Sequence, residues 1–445
     1  MTSPGPDPET TTVPEAGPAV TPTRFFARLA SSMSDPVLRA LVAATAVSRV
    51  GRGVFFAVTV LFFTQIIGLS AAQAAVVLAV SSGCGVLGSL LGGWLSDRWS
   101  ARRLSFTFEV VSGLMLAAYA FTGDFVSALV LASLSGFFDS MGHSSRSAII
   151  ARGFAPDRRV HARAVLRTVT NVSIAAGSGL GAVALALGTP EAYRVVIASG
   201  GLLCALGSLP LLRLTAAVDA PRRETHEVRT ETGSIDTDAA AAARRDWNRR
   251  SPWRDSRYLL LTVLSAVFGM QFGVAEFGIP LWITEYTAAP EVTVSALLIV
   301  NTALVVLFQV RASRGTHDLR VAGRVTMIAG WLMVAACMIY ALAAGLPAWV
   351  AIALLVFGMV AHTFGEILSQ AGAWGLSFEL ADPQRAGAYQ GVFGMGFSLG
   401  ALASPIVVNA TAITYGPTGW AMLAAIFLAA AVGIWAIARR AAASV

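Results

Sequence analysis

The sequence predicts an all-α membrane protein with twelve transmembrane helices in two pseudo-repeated six-helix bundles. Of its 445 residues 56% are hydrophobic and only 13% are charged, and the mean hydropathy is +0.68. Apolar runs of roughly 20 residues, the length that crosses a bilayer as a helix, recur along nearly the whole chain. The runs are continuous and do not alternate with polar residues, which indicates helices and excludes a β-barrel.

Two sets of six predicted spans flank a polar segment. Residues 1–36 are rich in Pro, Thr, Glu and Gly and predict a disordered cytoplasmic tail, and residues 213–257 are charged and predict a cytoplasmic linker. The N-terminal bundle is predicted over residues 37–212 and the C-terminal bundle over residues 258–440. The predicted spans are 38–66, 71–96, 104–121, 125–145, 164–188 and 193–212, then 258–286, 292–310, 322–344, 348–370, 387–413 and 419–438.

The positions of the arginines predict the orientation of these spans. If the N-terminus is cytoplasmic, the inner connections carry groups of arginines, whereas the outer connections carry none and only Arg194 lies near an outer end. This asymmetry is what the positive-inside rule requires. We therefore expect both termini in the cytoplasm. The net charge of +7 belongs to these connections and does not indicate a nucleic-acid partner.

The sequence predicts no cofactor and no metal site. Cys84, Cys204 and Cys337 are far apart, each lies in an apolar run, and none forms a C-x-x-C pair. The glycine-rich stretch 177–181 lies in the middle of a span with no strand before it, so helix packing explains it better than nucleotide binding.

The segment after the second span is Gly93-Trp94-Leu95-Ser96-Asp97-Arg98-Trp99-Ser100-Ala101-Arg102-Arg103. It resembles the signature loop of the major facilitator superfamily, in which Gly, three residues, Asp and Arg precede a second Gly and a basic pair. Here Ser100 stands at the second Gly, and Ala101 delays the basic pair by one position. The resemblance implies that Gly93, Asp97, Arg98 and Arg102 form a conformational latch, with Asp97 against the start of the eleventh helix, where the helix dipole favours a negative charge.

Shorter phrases resemble an actinobacterial branch of the same superfamily that exports drugs or metabolites. They are 280–283, 309–311 and 387–391. The resemblance implies a multi-pass protein of a bacterial inner membrane that works as a monomer with a small-molecule substrate and the lipid bilayer as partners. It implies proton-coupled efflux of a drug-like molecule or metabolite by alternating access, with the proton gradient as energy source. An importer or uniporter of a small organic solute, and a non-transporting membrane sensor, are the alternatives; no enzyme site is predicted.

Ionisable residues inside spans are costly and are therefore candidates for function. A carboxylate removed from water holds a proton more firmly and can exchange it near neutral pH. The proton-coupling candidates are, in order, Glu276, Glu366 and Asp139. Static charge pairing is the alternative. In that interpretation Asp139 neutralises Arg49 or Arg146, and Glu276 pairs with Arg52.

The first, fourth, seventh and tenth spans line the central cavity in proteins that this chain resembles. The cavity-lining candidates on these spans are Arg49, Arg52, His143, His362, Gln271 and Trp282. The two arginines favour anionic or polar groups on a substrate if they face the cavity. Glu109 and Arg167 lie one turn into their spans, and we expect them to pair or to extend towards water at the inner surface.

Overall fold

The computed structural model describes residues 34–187, 189–219 and 250–444. Nearly all of the tail predicted over residues 1–36, and residues 220–249 of the predicted linker, lie outside these ranges. The described residues are helical and contain no strand. The long helices, labelled in chain order, are α1 Pro36–Leu61, α2 Ala71–Ser96, α3 Ala101–Ala118, α4 Phe125–Gly153, α5 Pro156–Leu187, α6 Pro190–Gly207, α7 Ser256–Tyr286, α8 Val292–Ala312, α9 Leu319–Leu342, α10 Ala348–Glu379, α11 Ala386–Val408 and α12 Pro417–Ala442.

Polar residues in the short connections begin several of these helices. Asp35 accepts hydrogen bonds from the first amides of α1, and Asp124 does the same for α4. Ser70 and Gln73 form a reciprocal capping box at the start of α2. Such caps satisfy amides that have no partner within the helix, so the connections can be as short as the predicted spans require.

A π-helical turn lies within one long helix and directly follows two others. The turns are Phe62–Ile66 at the end of α1, Val274–Gly278 within α7, and Asn409–Ile413 at the end of α11. Single π turns are rare and occur often at functional sites. The turn in α7 carries Glu276, one of the predicted proton-coupling residues.

Within the described part of the chain, 11 helices are long and apolar enough to cross a membrane. Helix α5 is not among them, and its apolar end includes positions 183–185, whose side chains are not described. The fourth, fifth and tenth helices are longer than predicted. α4 reaches Gly153 instead of residue 145, α5 begins at Pro156 instead of residue 164, and α10 reaches Glu379 instead of residue 370. Their added turns carry polar side chains that find partners inside the protein, which a hydropathy pattern does not reveal.

The same helix pairings occur in the first half, α1–α6, and in the second half, α7–α12. In the first half α2 packs on α4, α3 on α4 and α6, and α1 on α5 and α6. In the second half α8 packs on α10, α9 on α10 and α12, and α7 on α11 and α12. Adding six to each helix number converts one set into the other, as expected for a structural repeat.

The two halves meet mainly at one end of the helices. We call it the arginine-rich end, because the connections that leave α2, α4, α8 and α10 lie there together with Arg98, Arg158, Arg314 and Arg385. Helix α11 packs closely on α2, and a Cβ atom on Gly93 would overlap the backbone of Gly387 and Gly391. Helix α5 packs on α8 and α10 in the matching position. Small residues permit this close approach of helix backbones.

The buried apolar clusters show the same difference between the two ends of the molecule. One cluster at the arginine-rich end contains residues of both halves, among them Leu41, Ile149 and Tyr389. Towards the opposite end, the cluster around Phe63 belongs to the first half and the cluster around Trp282 to the second half. Among the described residues, the halves therefore share a core only at the arginine-rich end, and the space between them is closed there.

Candidate functional site: a cavity between the two halves

A cavity of about 340 Å³ lies between the halves, just beyond the arginine-rich end. Helices α1, α4 and α5 supply its polar wall, with Arg49, Asp139, His143, Arg163 and Arg167. Helices α10 and α11 supply an aromatic wall, with Trp374, Phe393 and Phe397. The volume is in the usual range for a small-molecule site.

Asp139 is held by two arginines of α1. One of its oxygens contacts Arg52 closely and lies 3.7 Å from Arg49. Arg52 also donates to Ser112 Oγ at 3.3 Å. Charge pairing with Arg49 is thus present, but Arg146 takes another partner, the buried Glu109. These two contacts favour the charge-pair interpretation of Asp139 over proton coupling.

Glu366 pairs with an arginine of the opposite half. Its Oε1 lies 2.6 Å from Arg167 Nη2, and its Oε2 accepts from Asn301 Nδ2 at 3.0 Å. The Glu366 side chain is only 4% exposed. Arg167 forms a pair as expected, but it lies on the cavity wall and not at the end of its helix, because α5 begins two turns before the predicted span.

Glu276 lies on the π turn of α7 with an exposed side chain. The alternative that it pairs with Arg52 is wrong, because Arg52 is engaged with Asp139. Glu276 is not part of the cavity wall, whereas Glu366 reaches that wall through Arg167.

Three of the predicted cavity-lining residues lie inside the second half instead. Trp282 is fully buried, donates from Nε1 to the Tyr340 carbonyl oxygen at 2.9 Å, and stacks on Tyr286. His362 is fully buried with Nδ1 3.4 Å from Tyr340 Oη. Both predictions are wrong, because these side chains face the α9 side of their helices. Gln271 donates to Ser369 Oγ at 2.9 Å and borders a small void behind Trp374.

Asp97 contacts the start of α11 as predicted, but its cationic partner is a different arginine. Asp97 accepts from the Gly387 and Ala388 amides, each at 2.7 Å, at the start of α11. Its cationic partner is Arg152 of α4. Arg102 binds Asp219 and the Leu214 carbonyl oxygen, and Arg98 lies over the Trp94 ring. The expectation that Arg98 and Arg102 complete the contact is therefore corrected: Arg152 does.

The sequence interpretation missed Arg163. Its guanidinium lies 3.3 Å from Ser147 Oγ, 3.3 Å from Gln390 Oε1 and 3.5 Å from His143 Nε2. It was overlooked because the predicted fifth span begins at residue 164. The available signal was its spacing of four from Arg167, which puts both on one face of a helix.

The sequence profile of the Major Facilitator Superfamily matches residues 41–405, which is most of the chain. No curated protein matches the sequence. Among solved structures, the chain is similar to the human organic anion transporter MFSD10 (TETRAN), with 16% identity and a TM-score of 0.64 over 90% of this chain and 99% of that one. It is also similar to the proton:xylose symporter XylE, with 15% identity and a TM-score of 0.64 over 91% and 96% of the two chains.

A bacterial homologue of the iron transporter ferroportin, in its outward-facing state, has 13% identity and a TM-score of 0.67 over 91% of this chain and 98% of that one. At these identities the structural likeness concerns the fold alone. The match to the family profile covers the helices that build the cavity and the Asp97 contact. The chain belongs to the Major Facilitator Superfamily, and it is a multi-pass membrane transport protein and not an enzyme.

Proposed function

We propose that this protein is a proton-coupled secondary transporter that moves a small organic solute by alternating access. The observation that carries the proposal is the ion pair between Arg167 and Glu366, which joins the two halves at the cavity wall. The proposal includes twelve spans, a bacterial inner membrane, cytoplasmic termini and a monomeric transporter. The repeated helix pairings and the clustering of arginines at one end support this layout.

Glu366 is the proposed proton-coupling residue. Its carboxylate is nearly removed from water, and its two oxygens accept hydrogen bonds from Arg167 and Asn301. A proton on Glu366 removes the attraction to Arg167, so the halves lose one of the contacts that hold them together. Proton binding then changes the relative free energies of the two conformations, which is the requirement for coupling.

The Asp97 contact is the proposed latch of the conformation described here. It ties α2 and α4 to the first turn of α11, at the end where the halves share a core. If the arginine-rich end is cytoplasmic, this conformation is closed to the cytoplasm and its cavity faces outward. Release of Asp97 from α11 accompanies opening to the cytoplasm.

Two directions of transport are compatible with this mechanism. Efflux by proton antiport of a drug-like molecule or metabolite is the direction that the sequence resemblance implies. Uptake together with a proton is favoured by the position of Arg167, which lines the cavity and pairs with Glu366. A proton on Glu366 would free Arg167 to hold an anionic group of a solute. In that case the proton and the solute bind together.

Reconstituted vesicles test the proposal. Compounds that stabilise the purified protein against heat are first identified, because binding to the folded state raises its stability. Their labelled forms are then followed in vesicles with and without an imposed pH difference. We expect Glu366→Gln to abolish accumulation driven by the pH difference and to preserve exchange of labelled for unlabelled solute. Glu379→Gln, on the same helix but paired with Arg159 at the arginine-rich end, is the matched control.

The sign of the coupling decides the direction. Accumulation on the side from which protons leave indicates antiport, and accumulation on the side that protons enter indicates co-transport. If Glu366→Gln accumulates solute under a pH difference as well as the unmodified protein, coupling through Glu366 is excluded.

A further inference from the structure

We infer that the substrate is a small organic anion with a flat apolar body, whose charged group binds Arg163 and Arg49 and whose body lies against Trp374, Phe393 and Phe397. The inference rests on the proposed function, since it assigns the substrate class of the same cavity.

Positive charge exceeds negative charge around the cavity. The described arginines on or beside its wall are Arg49, Arg52, Arg146, Arg163 and Arg167, and the carboxylates paired with them are Asp139, Glu109 and Glu366. Glu109 pairs with Arg146, Glu366 pairs with Arg167, and Asp139 pairs with both Arg49 and Arg52. Five arginines therefore face three carboxylates, and the surplus falls on Arg49 and Arg163.

Arg163 has no carboxylate within ion-pair distance in the described part of the chain. Its contacts are a hydroxyl of Ser147, an amide oxygen of Gln390 and a ring nitrogen of His143 at 3.3 to 3.5 Å, and none of these groups is a carboxylate. A guanidinium in a partly dehydrated site gains most from an anion that binds it through two N–H groups. Arg49 is 3.7 Å from an Asp139 oxygen that Arg52 already holds closely, so it too has capacity for a second anion.

The opposite wall suits a flat apolar group. Trp374 and Phe393 are each 6% exposed, and Phe397, at 40%, presents much of its ring. The Arg163 guanidinium lies 5.3 Å from the Trp374 ring centre, so a ligand bound to Arg163 has its body within reach of that ring. Aromatic side chains provide stacking faces for a planar ligand. A carboxylate, sulfonate or phosphate on an aromatic ring combines the two features.

A purely structural role for Arg163 is the competing explanation. Its contact with Gln390 joins α5 to α11, so Arg163 could simply help to close the arginine-rich end. A structural arginine changes stability without changing which ligand charge is preferred. The charge preference of binding therefore separates the two explanations.

The experiment compares ligands that share one skeleton and differ in charge. Purified protein in detergent at neutral pH is heated with phenylacetate, phenylacetamide or phenethylammonium, and the concentration dependence of thermal stabilisation is measured. We expect phenylacetate to stabilise, and the amide and the ammonium compound to do so at least roughly tenfold more weakly, as for loss of a charge-assisted hydrogen bond. Benzenesulfonate and phenyl phosphate extend the test to the other anionic groups.

Variants assign the binding to the cavity. Arg163→Gln is expected to weaken phenylacetate binding by roughly tenfold or more, and Arg163→Lys to retain part of it. Arg439→Gln, which removes an arginine stacked on Trp435 outside the cavity, is expected to bind as the unmodified protein does. If Arg163→Gln does not fold, Arg49→Gln replaces it with the same expectation.

The inference is overturned if the amide or the ammonium compound binds as well as phenylacetate, if none of the three anions binds, or if both arginine variants keep full affinity. These measurements use no membrane and no proton gradient. Anion binding without proton-coupled flux in vesicles would thus contradict the proposed function and leave the substrate class standing. Proton-coupled flux of an uncharged solute would contradict the inferred substrate class and leave the proposed function standing.

Discussion

Arg167 Nη2 of α5 and Glu366 Oε1 of α10 lie 2.6 Å apart and form an ion pair between the two halves of the molecule. Asn301 of α8 donates to the second oxygen of the same carboxylate. Three helices thus meet at one charge, next to the cavity. Any relative motion of the halves must break or rearrange this contact, so its strength influences which conformation is populated.

Removal of Arg167 alone is expected to destabilise the protein more than removal of both charges. Arg167→Gln leaves Glu366 buried without its cation, which costs about 3 kcal/mol, the low end for buried pairs because the Arg167 side chain is 24% exposed. Arg167→Gln combined with Glu366→Gln should recover most of the stability. Thermal unfolding of the four proteins in detergent measures the coupling, and equal losses in the single and double variants would contradict it.

Asp97→Asn is expected to open the arginine-rich end. The neutral amide loses the ion pair with Arg152 and, in either orientation, presents an N–H₂ group that cannot accept to one of the two amides, Gly387 or Ala388. Spin labels at the exposed positions Trp99 and Gln384, in a Cys84→Ser background, report the distance between this end of α2 and the start of α11. We expect a larger fraction of long distances in Asp97→Asn.

Two further variants complete that experiment. Arg102→Gln removes an ion pair with Asp219 that does not involve α11, so the distances should not change. Gly93→Ala should lengthen them, because the added methyl overlaps the α11 backbone, whereas Gly83→Ala on the same helix meets open space and should not. If the distances between the labels in both Asp97→Asn and Gly93→Ala are as short as in the unmodified protein, a latch at this contact is excluded.

The arrangement of spans could be predicted from the sequence, but the pairing of charges inside them could not. Long apolar runs and arginine placement depend on local composition, so most helix ends agree with the predicted spans to within a few residues. Whether Asp139 meets Arg49, Arg52 or Arg146 depends on how α1 and α4 rotate about their axes, which one sequence does not reveal. The partner of Asp97 at the start of α11 was predicted only from the resemblance to the family, in which this loop contacts the eleventh helix. Arg152 was missed because it lies beyond the predicted end of the fourth span.

Trp282 and Trp374 should respond to substitution in opposite ways. Trp282→Phe removes the indole N–H that donates to the Tyr340 carbonyl oxygen, which keeps its hydrogen bond from the Ala343 amide. We expect a cost of about 0.5 to 1.5 kcal/mol, the net value of one hydrogen bond, and no change in ligand affinity. Trp374→Phe removes part of the cavity wall and should weaken binding of phenylacetate with a smaller effect on stability. Unfolding midpoints and ligand titrations of the two variants test the assignment. If Trp282→Phe lowers the affinity for phenylacetate and leaves the stability unchanged, Trp282 is a cavity-lining residue after all.

Asp139→Asn separates a charge pair from a proton-coupling residue. If Asp139 only neutralises the two arginines of α1, the variant leaves Arg49 and Arg52 without their carboxylate and makes the cavity more positive. It should then bind phenylacetate more tightly. Accumulation of solute driven by a pH difference in vesicles should persist. The protein should also become less stable, because Arg52, whose side chain is 13% exposed, loses its partner. If Asp139 carries the transported proton, the variant should instead lose accumulation and keep exchange, as expected for Glu366→Gln. Measuring affinity, accumulation and exchange on the same preparation decides between the two, and Ser140→Ala, the neighbouring position on the cavity wall, is the control without a change in charge.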